Sequence, residues 1–147
     1  MNADTYFYRR IALAKAVGFI IGLVGFFLLP VLVPGEGLWL RFGVLLWYTT
    51  VGAMIGVLGL FDHHPFFGFP MPFWFRGILF GAWANLLLVF LMHDELSALM
   101  QRMAGIPAGF KDPLWIVVEG AVVGLVVDAA ATAATGDGMP PPAAASV

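Results

Sequence analysis

Polar positions are rare along this chain, and they divide it. Four apolar runs, approximately residues 16–33, 38–61, 76–93 and 114–131, are separated by short stretches richer in charge, Gly and Pro. At roughly 1.5 Å of rise per residue, a helix over such a run, the third extended by the aromatics that precede it, crosses the ~30 Å hydrocarbon core of a bilayer. No stretch alternates apolar and polar residues with period two, so the pattern argues against a β-barrel. The first run has no small-x-small cleavage site before "PGEG" and reads as a retained span rather than a leader.

Between the third and fourth runs the period changes. In "HDELSALMQRMAG", Leu96, Leu99, Met100 and Met103 recur at spacings of three and four, which predicts an amphipathic interfacial helix over about residues 94–104. Asp94 and Glu95 suit its N-terminus, and Arg102 with Gly105 its end. The segment "DTYFYRRIALAK" is expected to start a helix capped by Asp4 or Thr5, with its tyrosines and arginines at headgroup depth. The last stretch, residues 136–147, has no apolar period and reads as a disordered tail after a single domain over residues 1–135.

Every span carries a Gly-x-x-x-Gly pair: Gly18/Gly22, Gly52/Gly56, Gly77/Gly81 and Gly120/Gly124. Lipid tails give helices no hydrophobic reason to associate, so close backbone approach at small residues must hold them together. The pairs also align. "GFIIGLVGFFLLPVL" from Gly18 lies over "GILFGAWANLLLVFL" from Gly77, and "LWYTTVGAMIG" from Leu46 over "LWIVVEGAVVG" from Leu114. The expected fold is therefore an all-α integral membrane four-helix bundle, built as two tandem helical hairpins in a parallel pseudo-two-fold repeat. Four small-residue grooves fit either a tight bundle or one whose outer grooves bind another chain, which makes a homo-oligomer or a larger membrane complex the expected state.

Composition narrows the partners. The 147 residues are 61% hydrophobic and 11% charged, with a net charge of −2. There are too few charges to cover a water-facing surface, and the lipid bilayer is the natural solvent. No basic stripe exists for nucleic acid. The absence of Cys removes disulfides, thiol catalysis and Cys-ligated metals. Short-loop cations place Arg9, Arg10, Lys15 and Arg76 on one side and Arg41, Arg102 and Lys111 on the other. The cluster before the first span sets the expected orientation, with both termini cytoplasmic in a prokaryotic plasma (inner) membrane.

Intramembrane polar residues are the functional candidates. Arg41 and Glu119 enter their spans from the same side, and an ion pair between them is expected. Asn85 continues the stripe of Gly77 and Gly81 and is expected to bond across a helix interface. Asp128 continues the stripe of Gly120 and Gly124, where Lys15, Arg76 or a histidine is the expected partner. Thr49 and Thr50 are expected to bond their own helix carbonyls.

The loop "GLFDHHPFFGFPMPFWFRG" offers Asp62, His63 and His64 as metal ligands. Consecutive side chains on a helix splay by about 100°, and Pro65 turns His64 from helical geometry, so these three do not converge unaided. The expected reading is a stiff aromatic loop at headgroup level. No catalytic constellation and no cofactor motif is visible. The preferred function is a non-enzymatic accessory or assembly subunit packing through its glycine faces. The alternatives are an oligomeric channel or transporter using Glu119, Asn85 and Asp128, and a membrane enzyme using Asp62, His63 and His64.

Overall fold

The computed structural model describes residues 3–61, 63, 64 and 66–137, and for residues 3 and 4 the backbone alone. The expected tail beyond residue 137 lies outside them. The described residues form five α-helices and no strand: α1 (Ala3–Leu32), α2 (Leu38–Leu58), α3 (Phe73–Leu91), α4 (His93–Arg102) and α5 (Leu114–Thr135). Four are long and apolar enough to cross a membrane: α1 over Thr5–Leu32, and α2, α3 and α5 over their full lengths. Their outward faces carry bare apolar side chains, among them Ile20, Val24, Phe27 and Val31 on α1 and Val118, Val122 and Val126 on α5. Contiguous surfaces of that kind belong in lipid.

Helix boundaries follow local chemistry. α1 runs unbroken from Ala3, so Asp4 and Thr5 lie in its first turn instead of capping it. The amphipathic start and the apolar span are one rod, because no Gly or Pro interrupts them before Gly18. α2 stops at Leu58, and Gly59–Phe61 close with tight turns onto Ile55, Val57 and Leu58. α3 starts behind Pro72 and α5 behind Pro113, residues that lack the N–H a helix start would leave unpaired. Asp112 accepts from the Leu114 N–H at 2.8 Å and stabilises the first turn of α5.

The helices pack as two close antiparallel pairs, α1 with α2 and α3 with α5. Gly18 and Gly52 face each other so closely that a Cβ on either would lie 3.0 Å from the other's Cα. Gly56 faces Ile11 and Ala14, and Gly22 faces the Leu45 backbone. In the second pair, a Cβ on Gly77 would lie 2.5 Å from the Gly124 carbonyl oxygen, and one on Gly81 would lie 2.9 Å from the Gly124 Cα. Gly120 meets the Gly81 carbonyl and the Asn85 side chain. All eight glycines are therefore turned toward helices of the same chain.

The two pairs do not share one register. Gly18 meets Gly52, yet the glycines aligned with them, Gly77 and Gly120, meet Gly124 and Gly81 respectively. Between the pairs lies a core of Ala14, Tyr48, Val51, Ile55, Ala84, Val123, Val127 and Ala131.

At the end of the bundle where α1 finishes, α4 folds back over the α1–α2 loop. The Ala104 N–H donates to the Leu32 carbonyl at 2.7 Å, and Arg102 forms an ion pair with Glu36. Leu96 and Met100 are its buried residues, while Asp94 and Glu95 occupy its first turn. Gly105, at φ +73°, makes the left-handed turn that releases the chain toward α5.

Candidate functional site

The largest polar assembly lies at the opposite end, where α1 and α3 begin and α2 and α5 finish. Asp128 of α5 is fully buried. Its Oδ1 accepts from Arg10 Nη2 of α1 in a short contact, and its Oδ2 accepts from Arg76 Nε of α3 at 2.9 Å. Arg76 Nη2 and Thr132 Oγ1 approach Oδ1 at 3.4 and 3.5 Å. The carboxylate thus has four donors for its roughly four lone-pair sites.

Each arginine is itself closely held. Arg76 donates from Nη1 to the carbonyls of Phe61 and Met71, at 3.0 and 2.9 Å, and from Nη2 to Asp137 at 2.8 Å. Arg10 donates from Nη1 to the Gly136 carbonyl at 2.6 Å and to Thr135 Oγ1 at 3.3 Å, and from Nη2 to Thr132 Oγ1 at 2.9 Å. The Tyr6 hydroxyl also donates to the Gly136 carbonyl, at 3.0 Å, so the N-terminal turns of α1 and the C-terminus of α5 meet. Arg10 and Arg76 are balanced by Asp128 and Asp137. Of the four, only Asp137, 41% exposed, reaches the rim.

Arg76 is one of the three partners expected for Asp128; Lys15 is exposed and takes no part. Arg10, which the sequence does not single out as a partner of Asp128, is fully buried. Its signal is the helical row Tyr6, Arg10, Ala14, Gly18, Gly22, which continues the glycine stripe at spacing four. Gly59 at the end of α2 admits the guanidinium, since a Cβ there would fall 2.5 Å from Arg10 Cζ. Arg10 Nε is the one buried polar side-chain atom without a hydrogen-bond partner among the described residues.

A second, neutral network lies deeper in the bundle. Asn85 of α3 accepts from Trp47 Nε1 of α2 at 2.9 Å and donates to the Ile116 carbonyl of α5 at 2.8 Å. It joins three helices, and Gly120 makes the space it fills. The Tyr48 hydroxyl lies 3.5 Å from Asn85 Nδ2 and faces Glu119. Thr49 bonds the Leu45 carbonyl of its own helix at 2.7 Å.

The expected Arg41–Glu119 ion pair is not formed. Pro30 has no N–H, so the Phe26 carbonyl one turn earlier loses its helical donor. Arg41 Nε supplies that donor at 2.9 Å, with its guanidinium 4.2 Å from the Phe26 ring centroid. Such satisfaction of a proline-freed carbonyl by a neighbouring helix is what a low-dielectric interior demands. Glu119 stays on the flank of α5 with Tyr48 as its neighbour.

The aromatic loop closes on itself. The His64 N–H donates to the Phe69 carbonyl and the Gly68 N–H to the His64 carbonyl, both at 2.9 Å. His64 Nδ1 accepts from the N–H groups of Phe66 and Phe67 at 3.2 and 3.3 Å. The ring lies against Phe67 and Phe69. His63 faces Pro70 across an isolated bridge, and Asp62 lies outside the described residues. No group of three His, Asp or Glu residues that could hold a metal occurs among the described residues.

The two networks tie the helices together through charge and amide groups, with the Tyr48 hydroxyl against Glu119 at the edge of the second. No protein-family model, curated protein or solved structure matches this chain.

Proposed function

We propose that this protein is a non-enzymatic integral membrane subunit that serves the assembly of a larger membrane complex. The supporting observation is that the polar groups of its interior are held within the chain, Arg10 Nε excepted. Asp128, Arg76 and Asn85 are all bound by groups of the same chain. A conducting path or a catalytic centre needs polar groups free to exchange partners, and these have none to spare. The channel reading through Glu119, Asn85 and Asp128 therefore has less support at Asn85 and Asp128.

We take the two pairs as copies of one helical hairpin whose register has slipped, with both termini in the cytoplasm of a prokaryotic inner membrane. The glycine grooves are filled by the chain's own helices, so a partner would use another surface. The test is the mass of the complex extracted with its lipids. A second chain at fixed stoichiometry is the expected result. A lone monomer, extracted from the native membrane without loss of fold, would count against this reading.

A further inference from the structure

Among the described residues, Glu119 is the one exposed carboxylate on a helix long and apolar enough to cross a membrane. It lies five residues past Leu114, about 7.5 Å along α5 at roughly 1.5 Å per residue. Among the described residues no Lys, Arg or His pairs with it; its polar neighbour is the Tyr48 hydroxyl. It lines an open groove of about 380 Å³ with Met100, Met103, Ile106, Phe110 and Trp115, between α4 and the start of α5. The wall is apolar and partly methionine, a side chain that adapts to a partner's shape. A carboxylate met at this depth by a single hydroxyl is costly unless a cation joins it.

We propose that this groove docks a transmembrane helix of a different protein, one that presents a Lys or Arg to Glu119. The proposal rests on the assembly reading above and names its contact surface. Charge complementarity and depth carry it. A second copy of the chain has little to offer, because its cations at this end are committed: Arg41 to Phe26, Arg102 to Glu36 and Lys111 to the Gln101 carbonyl. A lipid amine sits at the headgroups, above a carboxylate one and a half turns down the helix. A long basic side chain on a neighbouring helix reaches that level.

The test uses the full chain in phosphatidylcholine vesicles and two synthetic Leu/Ala transmembrane peptides. One carries a single Lys about two turns from the end that lies on the α4 side, the other Gln at the same position. Energy transfer from labelled peptide to labelled protein reports binding. The Lys peptide should bind roughly tenfold more tightly than the Gln peptide, and Glu119→Gln should abolish the difference. Equal binding of both peptides to the unaltered protein, a comparison that needs no variant, would overturn the proposal. So would undiminished Lys preference in Glu119→Gln. Loss of the preference when phosphatidylethanolamine replaces phosphatidylcholine would assign the groove to lipid amines instead. Failure here beside a stoichiometric partner in the native mass removes this surface and leaves the assembly reading standing. A Lys preference beside a lone monomer does the reverse.

Discussion

Asp128→Asn is the most revealing single change, because it removes one charge and leaves the shape nearly intact. The wild-type cluster holds Arg10 and Arg76 against Asp128 and Asp137, and the first three of these are at most 3% exposed. The amide would leave two buried guanidiniums with one carboxylate at the rim. It would also put an N–H₂ group where at least one carboxylate oxygen accepts from an arginine. Breaking a buried pair by removing one partner costs about 3–5 kcal/mol, a large share of the roughly 5–15 kcal/mol that a typical domain has in all. Reversible unfolding in mixed micelles with increasing dodecyl sulfate gives the difference directly. The control is Asp137→Asn at the rim, expected to cost about 1 kcal/mol or less. Adding Arg10→Met to Asp128→Asn should cost less than Arg10→Met alone, since the partner is already gone, with a coupling of roughly 1–3 kcal/mol. A loss below about 1 kcal/mol for Asp128→Asn, or no coupling in the cycle, would refute the view that this cluster ties α1, α3 and α5 together.

Three further outcomes follow from neighbouring contacts. Gly59→Ala keeps an allowed backbone but drives a methyl group into the Arg10 guanidinium, and should cost about 1–3 kcal/mol in the same unfolding assay. Arg41→Leu should be destabilising by about 1 kcal/mol in the wild type. It should be nearly neutral in Pro30→Ala, where the restored N–H serves Phe26; equal effects in both backgrounds would contradict the proposed role. Asn85→Ala strips the partners of Trp47 and Ile116 and should cost about 0.6–2 kcal/mol, with the Trp47 indole fluorescence shifting as its hydrogen bond is lost.

The membrane architecture was legible because hydropathy and span length act on whole segments and tolerate local error. The glycine pairs could be read as sites of close approach, since no other side chain permits it. What faced them could not be read, because antiparallel register is decided by both surfaces at once. Arg10 shows a different limit. An arginine near the start of a span ordinarily snorkels, and only its place in the row with Ala14, Gly18 and Gly22 indicates that it turns inward. Asp128 and Arg76 were legible as partners because each lies on or beside a glycine stripe. The Arg41–Glu119 pairing failed for a reason visible in hindsight at Pro30, whose missing N–H creates a nearer claim on Arg41 than any carboxylate does. His64 serves its own loop because the N–H groups of Phe66 and Phe67 need an acceptor there.

The most direct measurement compares folding and assembly in Gly124→Leu. Its Cβ would lie 3.0 Å from both the Gly81 Cα and the Gly77 carbonyl carbon, so the α3–α5 pair must part. Chemical unfolding should show the isolated chain destabilised by about 3 kcal/mol or more, while Val126→Leu on the exposed side of α5 should change little. If Gly124→Leu instead folds with wild-type stability and loses only its association with other chains, the glycine stripes face outward and the architecture described above is wrong.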